Sequence, residues 1–435
     1  MSTRATIQTG FKQFISSATH ITVLVAGIVG LAVSGAVPLV SAAADPTYVT
    51  STTQISATPI QWSTTNGDIL DTVVFTSGVN HYVAIAGNFT AVITPDGVSH
   101  AATNFAVLRE ETGAVVYSGK VNDYPRVVRY YNGILYAGGS FTSFGGQSRA
   151  RLAALDTTTW NVTSWNPGAA NTVWALETGP AGVFYGTGSI LRSVSPTTGA
   201  TLWTDSTTQG AVRAIMLSPG QTSLYVGGLF TSLGGFANHA LVRVVPTSGK
   251  VDTTFTPALV HNSFTGADGS FDGQNVLALT WDSSYSPPRL TASIGGKYND
   301  LISFDPANSG TKYWSNSLQG DGQDTVTIGD VVIVGTHRSS ALNGGTSTSQ
   351  GAKWFDGAYR TSDGQPIAWD ARVSGFQNNA DGGNNGIQAL AQSSVTKRLY
   401  VMGAFTAWDQ TCSPANVNSC TGGVPLQSIA VFTYQ

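Results

Sequence analysis

The sequence predicts an all-β fold: a seven-bladed β-propeller of four-stranded antiparallel blades, closed by an N-terminal outer strand in the last blade. Three observations predict it. A glycine-rich phrase recurs, as "LYAGGSFTSFGG" at 135–146, "LYVGGLFTSLGG" at 224–235 and "RLYVMGAFTAWD" at 398–409. The phrase belongs to a four-part unit that repeats seven times in 435 residues, at a spacing of about 40 to 65. Only 10% of residues are charged while 50 are glycine, a composition that suits turn-rich β-structure and argues against long charge-laced helices.

The first element is a leader. Arg4 and Lys12 precede an uncharged apolar run from Ile21 to Val40, followed by "SAAADP", whose small residues suit a signal peptidase. Residues 1–44 are therefore read as a cleaved signal peptide and 45–435 as the propeller. The apolar run, about 20 residues, is also long enough to cross a bilayer, so an uncleaved anchor is the alternative. Either way the bulk of the chain is expected to be secreted or at the cell surface, with the membrane a partner only through that segment.

The repeated units follow. Their first parts are apolar, from "ILDTVVFTSG" through "YPRVVRYYNG" and "GAVRAIMLSP" to "GIQALAQSS". The second parts are "YVAIAGNFT", "LYAGGSFTS", "VFYGTGS", "LYVGGLFTS", "LTASIGGKY", "VVIVGTHRS" and "LYVMGAFTA". Third parts such as "ARLAALDTTTW" and "DLISFDPANSG" end in a turn signal, and fourth parts bring Tyr117, Trp165, Trp203, Phe255, Trp314 and Trp369. Each part is short, rich in β-branched and aromatic residues and bounded by Gly, Pro, Asn or Asp, which marks short antiparallel strands. Four strands per unit match a propeller blade, and a closed ring leaves no open sheet edge.

Six units carry their own fourth part, and the seventh ends at "QSIAVFTYQ". "ISATPIQW", residues 55–62 with Trp62, is the missing piece and is expected to form the outer strand of the last blade. The glycines of "VGG" are expected where backbones approach closely near a crowded axis. The outer aromatics are expected to fill the wider gaps between blades.

At these motifs the chain resembles the bacterial delta-60 repeat propellers, domains of unknown function. "YAGGSFTSFGGQSRARLAALD" with "SWNPG", and "YVGGLFTSLGGFANHALVRV" with "DTTFTP", carry the resemblance, which extends over roughly 45 to 435. It is similar, more distantly, to quinoprotein-type propellers through "LD...TG...W". The resemblance implies fold and an extracytoplasmic setting; it implies no activity.

Long connections all follow second strands or precede first strands, so one face of the expected propeller is loop-rich and the other plain. Loops on a rigid scaffold are where binding usually resides. Asp268, Asp272, Phe271, Asp381, Asn384 and Trp408 are the candidate ligand-binding residues there. Asp268, Asp272, Asp321 and Asp324 are candidate ligands for Ca2+, which favours carboxylates and carbonyls on flexible loops. Asp-Gly and Asn-Gly are also ordinary turn formers, and no stretch has the full calcium-loop spacing. Cys412 and Cys420 share one loop and are read as a local disulfide in an oxidising compartment.

A net charge of -3, with no basic stripe, gives no reason to expect nucleic acid. There is no H-E-x-x-H, G-x-S-x-G, phosphate loop or strand-linked G-x-G-x-x-G, and the histidines stand singly. The expectation is a binding protein for an extracellular polysaccharide or surface protein. A glycan-active hydrolase or lyase, or a purely structural surface protein, are the alternatives.

Overall fold

The computed structural model describes residues 49–208, 210–237, 240–257, 259, 274–296, 299–318, 320–337, 357–367, 369, 373–374, 386–405, 407–408, 411–413, 416–421, 424–425 and 427–435. The expected leader, residues 1–44, lies outside them. Among the described residues every regular element is a β-strand, and every ladder between strands is antiparallel. No helix there is long and apolar enough to cross a membrane.

Seven principal sheets succeed one another along the described chain. Sheet I holds Asp68–Ser77, Asn80–Asn88, Phe105–Arg109 and Val115–Ser118. Sheet II holds Pro125–Tyr131, Ile134–Gly139 and Leu152–Asp156. Sheet III holds Ala175–Gly179, Gly182–Gly186, Ile190–Val194 and Thr201–Thr208. Sheet IV holds Ala211–Leu217, Leu224–Leu229 and Leu241–Val244. Sheet V holds Gln274–Asp282, Arg289–Gly296, Asp300–Phe304 and Lys312–Ser317. Sheet VI holds Asp321–Ile328, Val331–His337, Gly357–Arg360 and Pro366–Ile367. Sheet VII holds Ile387–Ser393, Arg398–Gly403 and Ile429–Thr433. Each "LYVGG"-like segment is a second strand, paired between the first and third.

The fourth strand is less regular than expected. In sheets II and IV the outer segment makes one bridge each, Leu155 with Val162 and Val244 with Val251. The reason is local: the N–H of Trp165 is taken by Thr163 Oγ1 (3.2 Å) and that of Thr254 by Asp252 Oδ1 (3.0 Å). Short polar side chains there compete with the ladder for backbone donors. On sheet VII the outer position is filled from the N-terminus. Ile55 bridges Tyr434 and Ile60 bridges Val431, with Ser56 N donating to Thr433 O (2.8 Å) and Ile60 N to Val431 O (2.7 Å).

Because side chains alternate along a strand, each sheet has two apolar faces. In sheet I, Val83 and Ile85 pack toward sheet VII, whereas Tyr82 and Ala84 pack toward sheet II. Among the described residues there are seven such clusters, one between each consecutive pair of sheets and one between VII and I. First strands of successive sheets are neighbours, and the first strands of VII and I are neighbours too.

Outer tryptophans tie sheets II, III and V to the sheets that follow them. Trp165 of sheet II donates its indole N–H to Ser195 O of sheet III (2.9 Å), and Trp203 of III to Pro246 O of IV (2.8 Å). Trp314 of V reaches Thr361 O of VI (2.9 Å). Trp62 obeys the same rule across the chain ends: it sits against Tyr400 of sheet VII, and its N–H meets Glu110 O of sheet I at 3.2 Å. Each acceptor is in the turn that ends a third strand. Gly249 in one such turn has φ +73°, and a Cβ there would lie 2.6 Å from the Trp203 ring.

The two glycines of "VGG" answer different demands. A Cβ on Gly227 would lie 2.4 Å from Val276 Cγ1, a side chain of the next sheet's first strand. A Cβ on Gly228 would lie 2.1 Å from Ala211 O, just ahead of a bulge in the paired first strand. One glycine lets sheets approach and the other accommodates the bulge.

Candidate functional site

The bulges shape the site. First strands of sheets I, II, IV, V, VI and VII each shift register once near the N-terminal end, so that Leu70, Arg126, Arg213, Leu277, Gln323 and Gln388 are the bulge residues, skipped in the ladder register. In sheet III the matching residue, Trp174, directly precedes the first strand, its N–H on Gly186 O. A bulge re-aims a side chain away from the pleat. All seven of these residues line one cavity of about 560 Å3, together with neighbours from the first strands of sheets I to VI.

First strands are also the inner edges of their sheets, so their outward N–H groups need acceptors. The residue after the bulge is Asp in two sheets, and each supplies one. Asp71 Oδ2 accepts from Val128 N of sheet II (2.7 Å), and Asp324 Oδ2 from Leu390 N of sheet VII (2.7 Å). Arg129 Nη1 is paired with Asp71 at 2.7 Å. Burial pushes the Asp71 carboxyl above its usual range, with Arg129 opposing. Burial likewise raises Glu177, again opposed by Arg129. Asp324 is pushed up to about 7, first by burial and then by the Asp71 charge. These groups all line the cavity. Part of its wall is thus a set of acids sharing one arginine, with proton exchange near neutrality within reach of Asp324.

A cationic set stands beside it. The guanidinium of Arg126 is 4.3 Å from the Trp174 ring centroid and that of Arg213 is 4.1 Å away. Burial, reinforced by the nearby Arg126 charge, holds Arg213 below its ordinary value. Arg213 Nε, Asn275 Oδ1 and Gln388 Nε2 are buried and make no hydrogen bond. All three residues line the same cavity. Asp321, also in the lining, accepts from Gly296 N at 2.8 Å.

Of the residues singled out from sequence, Asp321 and Asp324 come together in this cavity. Asp268, Phe271, Asp272, Asp381 and Asn384 lie outside the described residues. Trp408 is in the short strand Ala407–Trp408, which pairs with Val373–Ser374 and Val424–Pro425; its side chain is outside the described part. Cys412 and Cys420 are opposite partners in a two-stranded ladder, their side chains likewise outside. Among the described residues no group of three or more His, Cys, Asp or Glu is arranged to hold a metal ion.

Sequence reasoning passed over Arg126, Trp174, Arg213, Asp71, Arg129 and Glu177. The signal was present in the repeats: aligned first parts put "R" of "PRVV", "W" of "VWAL" and "R" of "VRAI" in one column. A long polar or aromatic residue recurring there, inside apolar segments, marks side chains that leave the core.

No family model matches the chain, and no curated protein matches it. Among solved structures, the crystal structure of the computationally designed Ika8 protein is similar at a TM-score of 0.47 and 10% identity, covering 87% of this chain and 100% of that one.

Proposed function

We propose that the chain is a secreted or surface-associated seven-bladed β-propeller that binds an extracellular glycan at its loop-rich end. One observation carries the reading: seven residues at the same repeat position, one per sheet, converge on a single cavity. Seven apolar clusters, including the one between sheets VII and I, support a closed ring. Its volume, about 560 Å3, is in the range of pockets that hold small ligands. The lining mixes carboxylates, amides and guanidiniums, the donors and acceptors that sugar hydroxyls require. The long connections carrying Asp268, Phe271, Asp272, Asp381 and Asn384 join first strands at their N-terminal ends, where the cavity lies. A polymer held by those loops would present one unit to the axis.

A glycan array with residues 45–435 tests this. Retention without product release supports a binding module; failure to bind any glycan overturns the reading and favours a surface protein as ligand or a structural role. A glycan-active enzyme is the second reading, favoured by Asp324, which stays protonated to about pH 7 beside Asp71. An acid and an ionised carboxylate in one cavity are the requirement for glycosidic cleavage. Turnover lost in Asp324→Asn would establish it. Calcium binding through Asp268 and Asp272 is tested by thermal melts with and without chelator; identical melts remove it.

A further inference from the structure

We infer that the axial cavity recognises an acidic sugar, a uronate-type unit whose carboxylate is gripped by Arg213, stacked on Trp174 beside Arg126, and whose hydroxyls meet Asn275 and Gln388. This rests on the glycan-binding reading and names its substrate class. The argument begins with Arg213. A largely buried guanidinium is costly without an anion or hydrogen-bond partners, yet Arg213 Nε has none and no described carboxylate pairs with it. It stands beside a second cation, Arg126, on the same indole. Stacking on Trp174 fixes both forks, a geometry suited to bidentate capture of a planar carboxylate.

The other unpartnered atoms fit the rest of a sugar ring. Asn275 Oδ1 is an acceptor for a hydroxyl and Gln388 Nε2 a donor to one. Carboxylates elsewhere in the cavity do not cancel the attraction, since Asp71 is paired with Arg129 and burial disfavours charge on Glu177 and Asp324.

The test is calorimetric titration of residues 45–435 with galacturonate oligomers, the matched neutral galactose oligomers, and an oligoglutamate peptide. The expected result is at least a 10-fold preference for the uronate oligomer. Arg213→Gln should reduce uronate affinity about 10- to 100-fold, the effect of losing a charged hydrogen bond, and neutral-sugar affinity by much less, so that the uronate preference falls. Arg213→Lys keeps the charge but not the fork and should fall between; it also serves if the glutamine variant fails to fold. Trp174→Leu, a change at a positioning residue, should lower the uronate-to-neutral ratio by reducing uronate binding more than neutral binding. Equal binding of uronate and neutral oligomers, or Arg213→Gln with full preference, overturns the acidic-sugar inference and leaves the glycan reading standing. Preference for oligoglutamate over uronate also overturns it. No binding of either oligosaccharide overturns both.

Discussion

Replacing Trp62 by Ala should remove the clasp between the chain's beginning and its end. Trp62 is 6% exposed, belongs to the apolar cluster shared by sheets VII and I, and meets the Tyr400 ring edge-on at 5.3 Å. Burying an indole removes about 200 Å2 from water, worth roughly 5 kcal/mol at 25 cal/mol/Å2. Compactness of the unfolded chain and the β-carbon that remains reduce this to about 3 kcal/mol. The edge-on ring pair adds about 1 kcal/mol. Loss of the indole bond to Glu110 O adds about as much. The total, about 4 to 5 kcal/mol, agrees with the cost of Trp→Ala in other cores. Trp62→Phe keeps most of the burial and should lose only about 1 to 2 kcal/mol. Urea unfolding gives the midpoint and slope, and amide exchange reports where protection is lost. Protection should fall first at Ser56 and Ile60, whose N–H groups bond to Thr433 O and Val431 O. A Trp62→Ala variant within about 1 kcal/mol of the native chain, at unchanged slope, would refute the reasoning.

Other perturbations follow from single contacts. Gly227→Ala places a carbon 2.4 Å from Val276 Cγ1 and should destabilise by about 1 to 3 kcal/mol, with partial recovery in the Val276→Ala double variant; additive losses would be the contrary result. Asp330 accepts from Thr52 N and Thr53 N (2.9 Å each) and from Ser51 Oγ (2.8 Å). Burial opposes its ionisation, but these bonds prevail and hold its carboxyl well below the usual range. The stability it contributes is present above the unfolded carboxyl value near 4 and lost as pH falls below it. Asp330→Asn should therefore cost about 2 kcal/mol at pH 7 and much less at pH 2 in melts; an equal cost at both would contradict the assignment. Asp324 has the opposite sign. Its value, raised to about 7, means the protonated form stabilises the fold below the unfolded value and that stability is lost as pH rises toward 7. Asp324→Asn should flatten the pH dependence between about 4 and 7, and its melting point at pH 8 should equal or exceed the native one. Cys412 and Cys420, opposite in register, should give an intact mass two hydrogens lighter before reduction than after.

The strands were legible because their signals are local. Alternating apolar residues and turn glycines placed all seven "LYVGG"-like segments on second strands, and an unmatched aromatic placed residues 55–62 beside Tyr434 and Val431. The fourth strands of sheets II and IV were misread as full strands because Thr163 and Asp252 take backbone donors, a competition that hydrophobic pattern does not reveal. The loop-borne candidates drew notice through composition, whereas Arg126, Trp174 and Arg213 were hidden in apolar segments.

By itself the sequence determined the β-class, the repeated unit, and the glycines of its second strands, paired in the "VGG" form at Gly138–Gly139 and Gly227–Gly228. Tertiary structure alone decided which side chains meet. Arg126, Trp174 and Arg213 are 39 to 48 residues apart from one to the next, and they share a cavity because two bulges and the entry to a third first strand set them at the same end of successive sheets. It alone decided that Asp324 holds its proton to about pH 7, since a carboxyl's acidity depends on the burial and charges around it rather than on its neighbours in the chain.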